Sequence, residues 1–243
     1  MGEAFLWGIV AASSLLLGGL LALHLPVGRR ALGLVMAFGA GVLISAVAFE
    51  LVEDAFETSA GEGGVGLGLF AGAGLFFAGD SLIDRLGGGD RKRSGGEQAE
   101  GSALAIVLGI VLDGIPESLV LGLTVLEEGA VSAAFLVAVF LSNLPEAIAA
   151  TSGLAKSRWQ PRRILGLWVL VMIVSGLAAL TGYALFDTAS PSTIAFVLAF
   201  AGGAILTMLA DTMMPEAFEH GGKLVGLLTT LGFALAFAIS ALE

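Results

Sequence analysis

Leu112-Asp-Gly-Ile-Pro-Glu-Ser118 and its echo Leu141-Ser-Asn-Leu-Pro-Glu-Ala147 each lie in the middle of a long apolar run, where water is scarce. Aligned on Pro116 and Pro145, the two segments set Asp113 opposite Ser142, Gly114 opposite Asn143 and Glu117 opposite Glu146. Asp113 and Glu117 are four residues apart, as are Ser142 and Glu146, so each pair shares one helix face. A proline inside a helix removes a donor and clashes with the preceding turn, which predicts freed carbonyls near Leu112 and Leu141 facing inward. Three carboxylates, an amide and a hydroxyl thus form an oxygen-rich cluster in hydrocarbon. No Lys or Arg lies in either helix to neutralise it, and the simplest neutraliser is a metal cation.

Composition sets the class. With 57% hydrophobic and 13% charged side chains over 243 residues, a water-soluble domain is excluded in favour of an all-α polytopic membrane protein. The apolar runs are about 20 residues each, enough for a bilayer at helical rise. Thirty-six glycines suit closely packed helices. Cysteine is absent, so there is neither a disulfide framework nor a thiolate site. A net charge of −10 argues against a nucleic-acid partner.

Eight spans follow along the chain, at about 4–24, 31–52, 64–84, 102–125, 130–154, 164–186, 191–213 and 222–242. The start lacks the basic residues and cleavage site of a signal peptide, so the first span is read as retained. Residues 87–101 form the one hydrophilic linker, expected to be a flexible cytoplasmic loop, and the whole chain 1–243 reads as a single transmembrane domain.

All eleven Lys and Arg fall in alternate loops: Arg29 and Arg30; Arg85, Arg91, Lys92 and Arg93; Lys156, Arg158, Arg162 and Arg163; and Lys223. The opposite side carries only acids, among them Glu3, Glu53, Asp54, Glu57, Glu127, Glu128 and Asp187. The basic side marks the cytoplasm, so both termini are expected outside and the localisation is the plasma (inner) membrane. The external acids would concentrate cations at the outer mouth.

A repeat organises the rest. Phe38-Gly-Ala-Gly-Val-Leu-Ile-Ser-Ala-Val-Ala-Phe-Glu50 aligns without a gap on Phe200-Ala-Gly-Gly-Ala-Ile-Leu-Thr-Met-Leu-Ala-Asp-Thr212, and Asp54-Ala-Phe-Glu57 on Glu216-Ala-Phe-Glu219. Spans two and seven cross in opposite directions, which predicts a 3+2+3 arrangement with spans 1–3 and 6–8 as inverted copies around spans 4–5. Inverted repeats with interrupted helices at the midplane are the sequence mark of secondary transporters.

A Pro-Glu in each of spans four and five, three flanking spans on each side, outside termini and a polar loop after span three resemble the ZIP family of divalent-metal transporters over essentially the whole chain. That family's pattern is His-Asn-x-Pro-Glu-Gly in span four and a similar His- or Gln-containing version in span five. The resemblance implies import of a divalent ion held by Asp113, Glu117, Ser142, Asn143 and Glu146, with Glu117 and Glu146 in the family glutamate positions. Asp113 and Ser142 stand where the histidines would be, Gly114 and Asn143 where the asparagines would be. In span six, Ser175-Gly-Leu-Ala-Ala179 resembles a segment that often ends in a ligating glutamate, here Ala179. Asp211-Thr-Met-Met-Pro215-Glu216 resembles an inner-pathway segment, which makes Asp211 a candidate pathway residue. The loop after span three lacks the family's usual histidines.

Losing both imidazoles leaves an all-oxygen site that favours harder ions such as manganese, magnesium or ferrous iron over zinc. Asp113, Glu117 and Glu146 bring up to −3, so one carboxyl stays protonated or a proton travels with the metal. With Gly114 and Ala179 unable to ligate, one ion is expected rather than two. Each intramembrane acid costs roughly 2.5–3.5 kcal/mol, which makes an idle role a poor explanation. Enzymatic hydrolysis is disfavoured, because His24 and His220 fall at the cytoplasmic ends and leave Ser142 without a base. The expected partners are the divalent metal (zinc, iron, manganese or similar) and the bilayer, with a homodimer allowed and no cofactor beyond the transported ion. The rival is a transport-deficient homologue serving as a metal sensor or membrane scaffold.

Overall fold

The computed structural model describes residues 1–59, 64–88 and 103–242, and among them there are eight helices and no strand. They are α1 (Gly2–His24), α2 (Arg29–Thr58), α3 (Gly64–Ile83), α4 (Ala103–Glu128), α5 (Ala133–Lys156), α6 (Pro161–Phe186), α7 (Pro191–Gly221) and α8 (Leu224–Ser240). Seven are long and apolar enough to cross a bilayer, and α8, with 17 residues, is a shorter apolar helix. By length and composition this is an integral membrane protein.

The helix boundaries follow local chemistry. Ser132 caps α5 by accepting the Phe135 amide at 3.1 Å, and Ser190 caps α7 through Thr193 at 3.3 Å. Pro161 and Pro191 sit in the first turns of α6 and α7, where no amide donor is needed. Gly222, at φ 63°, takes the left-handed turn that separates α7 from α8.

Two helices are longer than the hydrophobic runs suggest. The expected ends of spans two and seven, near residues 52 and 213, are π-helical turns, at Val47–Glu53 and Leu209–Met213, after which each helix resumes, to Thr58 and Gly221. Widening the turn lets polar residues such as Glu50, Glu53, Asp54 and Glu216 continue the helix where apolar periodicity fades. The last span is shorter than expected, and the linker expected over 87–101 lies, from residue 89 onward, outside the described residues.

Helix α1 packs on α5 and α6, α2 on α8, α5 and the end of α7, α3 on α7, and α4 on α6. The partners α1 and α6 are antiparallel: Gly8 meets Ser175 and Gly176, whereas Gly19 meets Trp168. So are α2 and α7, because Gly33 meets Ala217 and Gly221 while Gly202 faces Val47, Leu51 and Val52. The closest approaches are glycine to carbonyl. A Cβ on Gly41 would overlap the Thr229 carbonyl and one on Gly232 the Phe38 carbonyl; Gly203 and Gly72 stand likewise against Leu69 and Phe200. Backbones this close gain dispersion contact that no side chain could provide.

One hydrophobic core surrounds α2, α5 and α7, with Met36, Leu43, Phe135 and Ile205 fully enclosed. A second gathers Leu15, Leu154, Ile164 and Trp168 between α1, α5 and α6. Large apolar side chains on α3 and α8, such as Phe70 and Leu227, point outward as a lipid-facing surface does. Gly41→Ala and Gly203→Ala should each destabilise the protein by about 1–3 kcal/mol, the usual cost of overpacking. Gly166→Ala, on an exposed helix face with no neighbour within 4 Å, should leave the thermal midpoint in detergent unchanged or raise it.

Candidate functional site

Helices α4 and α5 run unbroken through Pro116 and Pro145. The consequences for the carbonyls are local. Ser118 Oγ donates to the Gly114 carbonyl at 2.7 Å, holding the turn around Pro116. The Leu141 carbonyl, left without its usual donor by Pro145, lies 3.2 Å from the position a Gly39 side chain would take, so it points at α2.

Between α1, α4, α5 and α6 lies a cavity of about 20 Å³. Asp113 and Gly114 of α4, Asn143 and Glu146 of α5 and Ser175 of α6 line its polar side; Leu15, Ile110, Ala150 and Trp168 close the rest. The volume suits one water-sized or ion-sized occupant. Gly114 opens it: a Cβ there would meet only Ser175 Oγ, at 3.8 Å. Among the described residues, no Lys, Arg or His contributes to the wall. Asp113 and Glu146 are 4% and 8% exposed, so their charges stand out of bulk water.

Of the five residues that the sequence marks as ligands, the cavity gathers Asp113, Asn143 and Glu146. Glu117 is buried beside them in α4 but is not part of the wall. Ser142 is fully enclosed, donates to the Val139 carbonyl at 3.0 Å and packs its Cα against Gly39 of α2. Its hydroxyl therefore serves its own helix. Asp211 sits in the π-helical turn of α7, exposed, within electrostatic reach of Asp80 on α3. Ala179 is buried against Gly8 and Gly122, away from the cavity.

Two wall residues escaped the sequence reading. Ser175 opens the very segment quoted for Ala179, and a hydroxyl one turn earlier in α6 was the available signal. Trp168 resembles any apolar residue of a span until its partners are seen. Its indole Nε1 donates to Thr151 Oγ1 at 2.8 Å, and Gly19 leaves space for the ring, since a Cβ there would lie 2.6 Å from Cδ1.

A second, wide cavity of about 590 Å³ opens between α2 and α8, lined by Phe49, Glu50, Glu53, Asp54, Glu57, Phe237, Ser240 and Ala241. Glu50 is anchored in it: Ser132 Oγ, the cap of α5, donates to Glu50 Oε2 at 2.7 Å. That bond ties the π-helical turn of α2 to the start of the helix carrying Asn143 and Glu146.

No protein-family model and no curated protein matches the chain. Thr151→Val should leave the buried indole donor of Trp168 unsatisfied and cost about 1–3 kcal/mol. Thermal unfolding followed by tryptophan emission checks this, with the parent showing the higher midpoint.

Proposed function

We propose that the chain is a divalent-metal transporter of the ZIP type, moving its ion toward the cytoplasm through a single midplane carboxylate site. The observation that carries this reading is the small buried cavity that brings Asp113, Asn143 and Glu146 together, with Glu117 adjacent and no basic side chain in the wall among the described residues. Ionised carboxylates this deep are strongly disfavoured unless a cation compensates them, and three together are more than protonation of one relieves. The oxygen-only donor set fits a hard or borderline divalent ion, and the volume fits one ion without its water shell. Among the described residues the wall holds carboxylates and an amide but no imidazole, a donor set suited to holding a cation.

The architecture belonging to this reading is 3+2+3, with α1–α3 and α6–α8 as inverted copies around α4 and α5. Its support is the pattern of contacts. Exchanging α1 with α6, α2 with α7, α3 with α8 and α4 with α5 turns α3·α7 into α8·α2 and α4·α6 into α5·α1, and returns α1·α6 and α2·α7 to themselves. Gly41 on Thr229 and Gly203 on Leu69 are counterparts under the same exchange, as are the π-helical turns beginning at Val47 and Leu209. The antiparallel course of α2 and α7 agrees with inversion.

With Lys and Arg marking the cytoplasm, the acidic cavity of Glu50, Glu53, Asp54 and Glu57 faces outward and raises the local cation concentration. Helices α4 and α5, holding the ion, then shift against a frame containing α2 and α7, exposing the site to each side in turn. Glycine-on-carbonyl contacts lack interlocking side chains and so permit sliding. The membrane potential favours inward movement of the cation.

Metal uptake into sealed proteoliposomes is the deciding measurement. Glu117→Gln and Glu146→Gln should each abolish saturable manganese uptake while the protein still elutes as a folded species. Unchanged uptake in both variants rejects the site. Saturable binding with no flux in the parent would replace transport with sensing or scaffolding. Selectivity gives a separate test: Asp113→His introduces an imidazole into the wall and should raise the zinc-to-manganese uptake ratio. A parent that already prefers zinc, with a ratio unmoved by the substitution, means Asp113 does not set selectivity.

A further inference from the structure

At the far end of α7 from its capping serine, Glu216, Glu219 and His220 bring a ligand atom each to within 4.8 Å of one another. Their spacing, i, i+3 and i+4, puts all three on one helix face. Glu216 is 4% exposed and the His220 side chain 7%, while Glu219 is solvent-exposed. His220 Nε2 lies 3.2 Å from Glu216 Oε1, yet it is buried and makes no hydrogen bond. A ring nitrogen in that position, beside two carboxylates, has the environment of a metal ligand.

We infer that Glu216, Glu219 and His220 form a second divalent-cation site at the cytoplasmic end of α7, suited to borderline transition-metal ions such as zinc, cobalt or ferrous iron. The donor set differs from that of the midplane cavity in the way selectivity requires. One neutral imidazole and two carboxylates bring −2, which a divalent ion cancels, and the nitrogen favours borderline over hard ions. Three protein ligands leave coordination positions for water, so the ion can exchange with the cytoplasm. Glu219, at the exposed edge, can swing to close on an ion held by the two buried groups.

Neighbouring backbone fixes the imidazole. Gly33 of α2 lies against this turn, where a Cβ would stand 2.9 Å from His220 Cβ and 2.7 Å from the Gly221 amide. The ring is thus seated between two helices that cross in opposite directions, and an ion bound there would tie the end of α7 to its packing against α2. The repeat adds a contrast. Glu216 and Glu219 align with Asp54 and Glu57 of the outer cavity, but His220 aligns with Thr58, so only the inner copy has a nitrogen donor.

The inference goes beyond the midplane reading and does not depend on it. Its test uses full-length protein in detergent, purified without a polyhistidine tag and carrying Asp113→Asn, Glu117→Gln and Glu146→Gln so that the three midplane acids are neutral. Cobalt(II) titrated into this protein should give saturable visible d–d absorption from one site. His220→Ala should weaken that binding on the order of 10-fold or more, a loss seen even for partners that only orient a metal ligand. Glu219→Gln, on the exposed side and without effect on packing, should weaken it as well and serves where His220→Ala fails to fold. Absence of saturable cobalt binding in the silenced background, or affinity unchanged in the folded variants, means that His220 and Glu216 form an ion pair only. Uptake by the parent is untouched by either outcome, so failure here and failure of the transport reading are told apart.

Discussion

Glycine seated on a neighbouring carbonyl is the contact on which the rest of this structure depends. At Gly41, Gly72, Gly122, Gly182, Gly203 and Gly232 the neighbouring backbone occupies the space of a side chain. Within lipid the hydrophobic effect gives no preference for helix over acyl chain, so dispersion between close backbones has to hold the bundle. Gly122 against Ala179 and Gly182 against Leu119 set the distance between α4 and α6, and Gly18 against Leu144 does the same for α1 and α5. Between those four helices lies the small cavity of about 20 Å³ with Asp113 and Glu146 in its wall.

Much of this was legible in the sequence, because the relevant signals are coarse and physical. Apolar runs of about bilayer length anticipated all eight helices, seven of them long enough to cross a bilayer, and the paired Pro-Glu segments drew attention to two of the helices that line the small cavity. The alignment of Phe38–Glu50 with Phe200–Thr212 marked α2 and α7 as alike, and both carry a π-helical turn at the end of the aligned run. That interruption was not legible in the alignment. A π-helical turn keeps the chain helical while rotating the following residues, so loss of apolar periodicity at Glu50 and Asp211 looked like a helix end.

Within the site, the division between cavity wall and helix interior was the hard part. Asp113 and Asn143 stand in the wall, but Ser142, one residue away from Asn143, turns its hydroxyl back on Val139. A serine in an apolar helix has this choice at every position, and sequence spacing does not decide it. Trp168 and Ser175 were missed for the opposite reason: their role depends on a helix that is remote in sequence, brought in by Gly8, Gly19 and Gly176. Long-range packing of small residues leaves little trace in local pattern.

The size of the cavity has a consequence for what could occupy it. About 20 Å³ is open to the centre of a water molecule, somewhat more than the roughly 10–15 Å³ that admits one. A single water or a bare ion fits, whereas an ion carrying its full shell of waters does not. On the proposed transport reading, an ion would have to shed most of that shell before reaching Asp113 and Glu146. The speed of such a step is a property of the ion itself, and magnesium gives up its water reluctantly. Magnesium would then be held back by desolvation before any ligand touched it, with no dedicated side chain needed to exclude it.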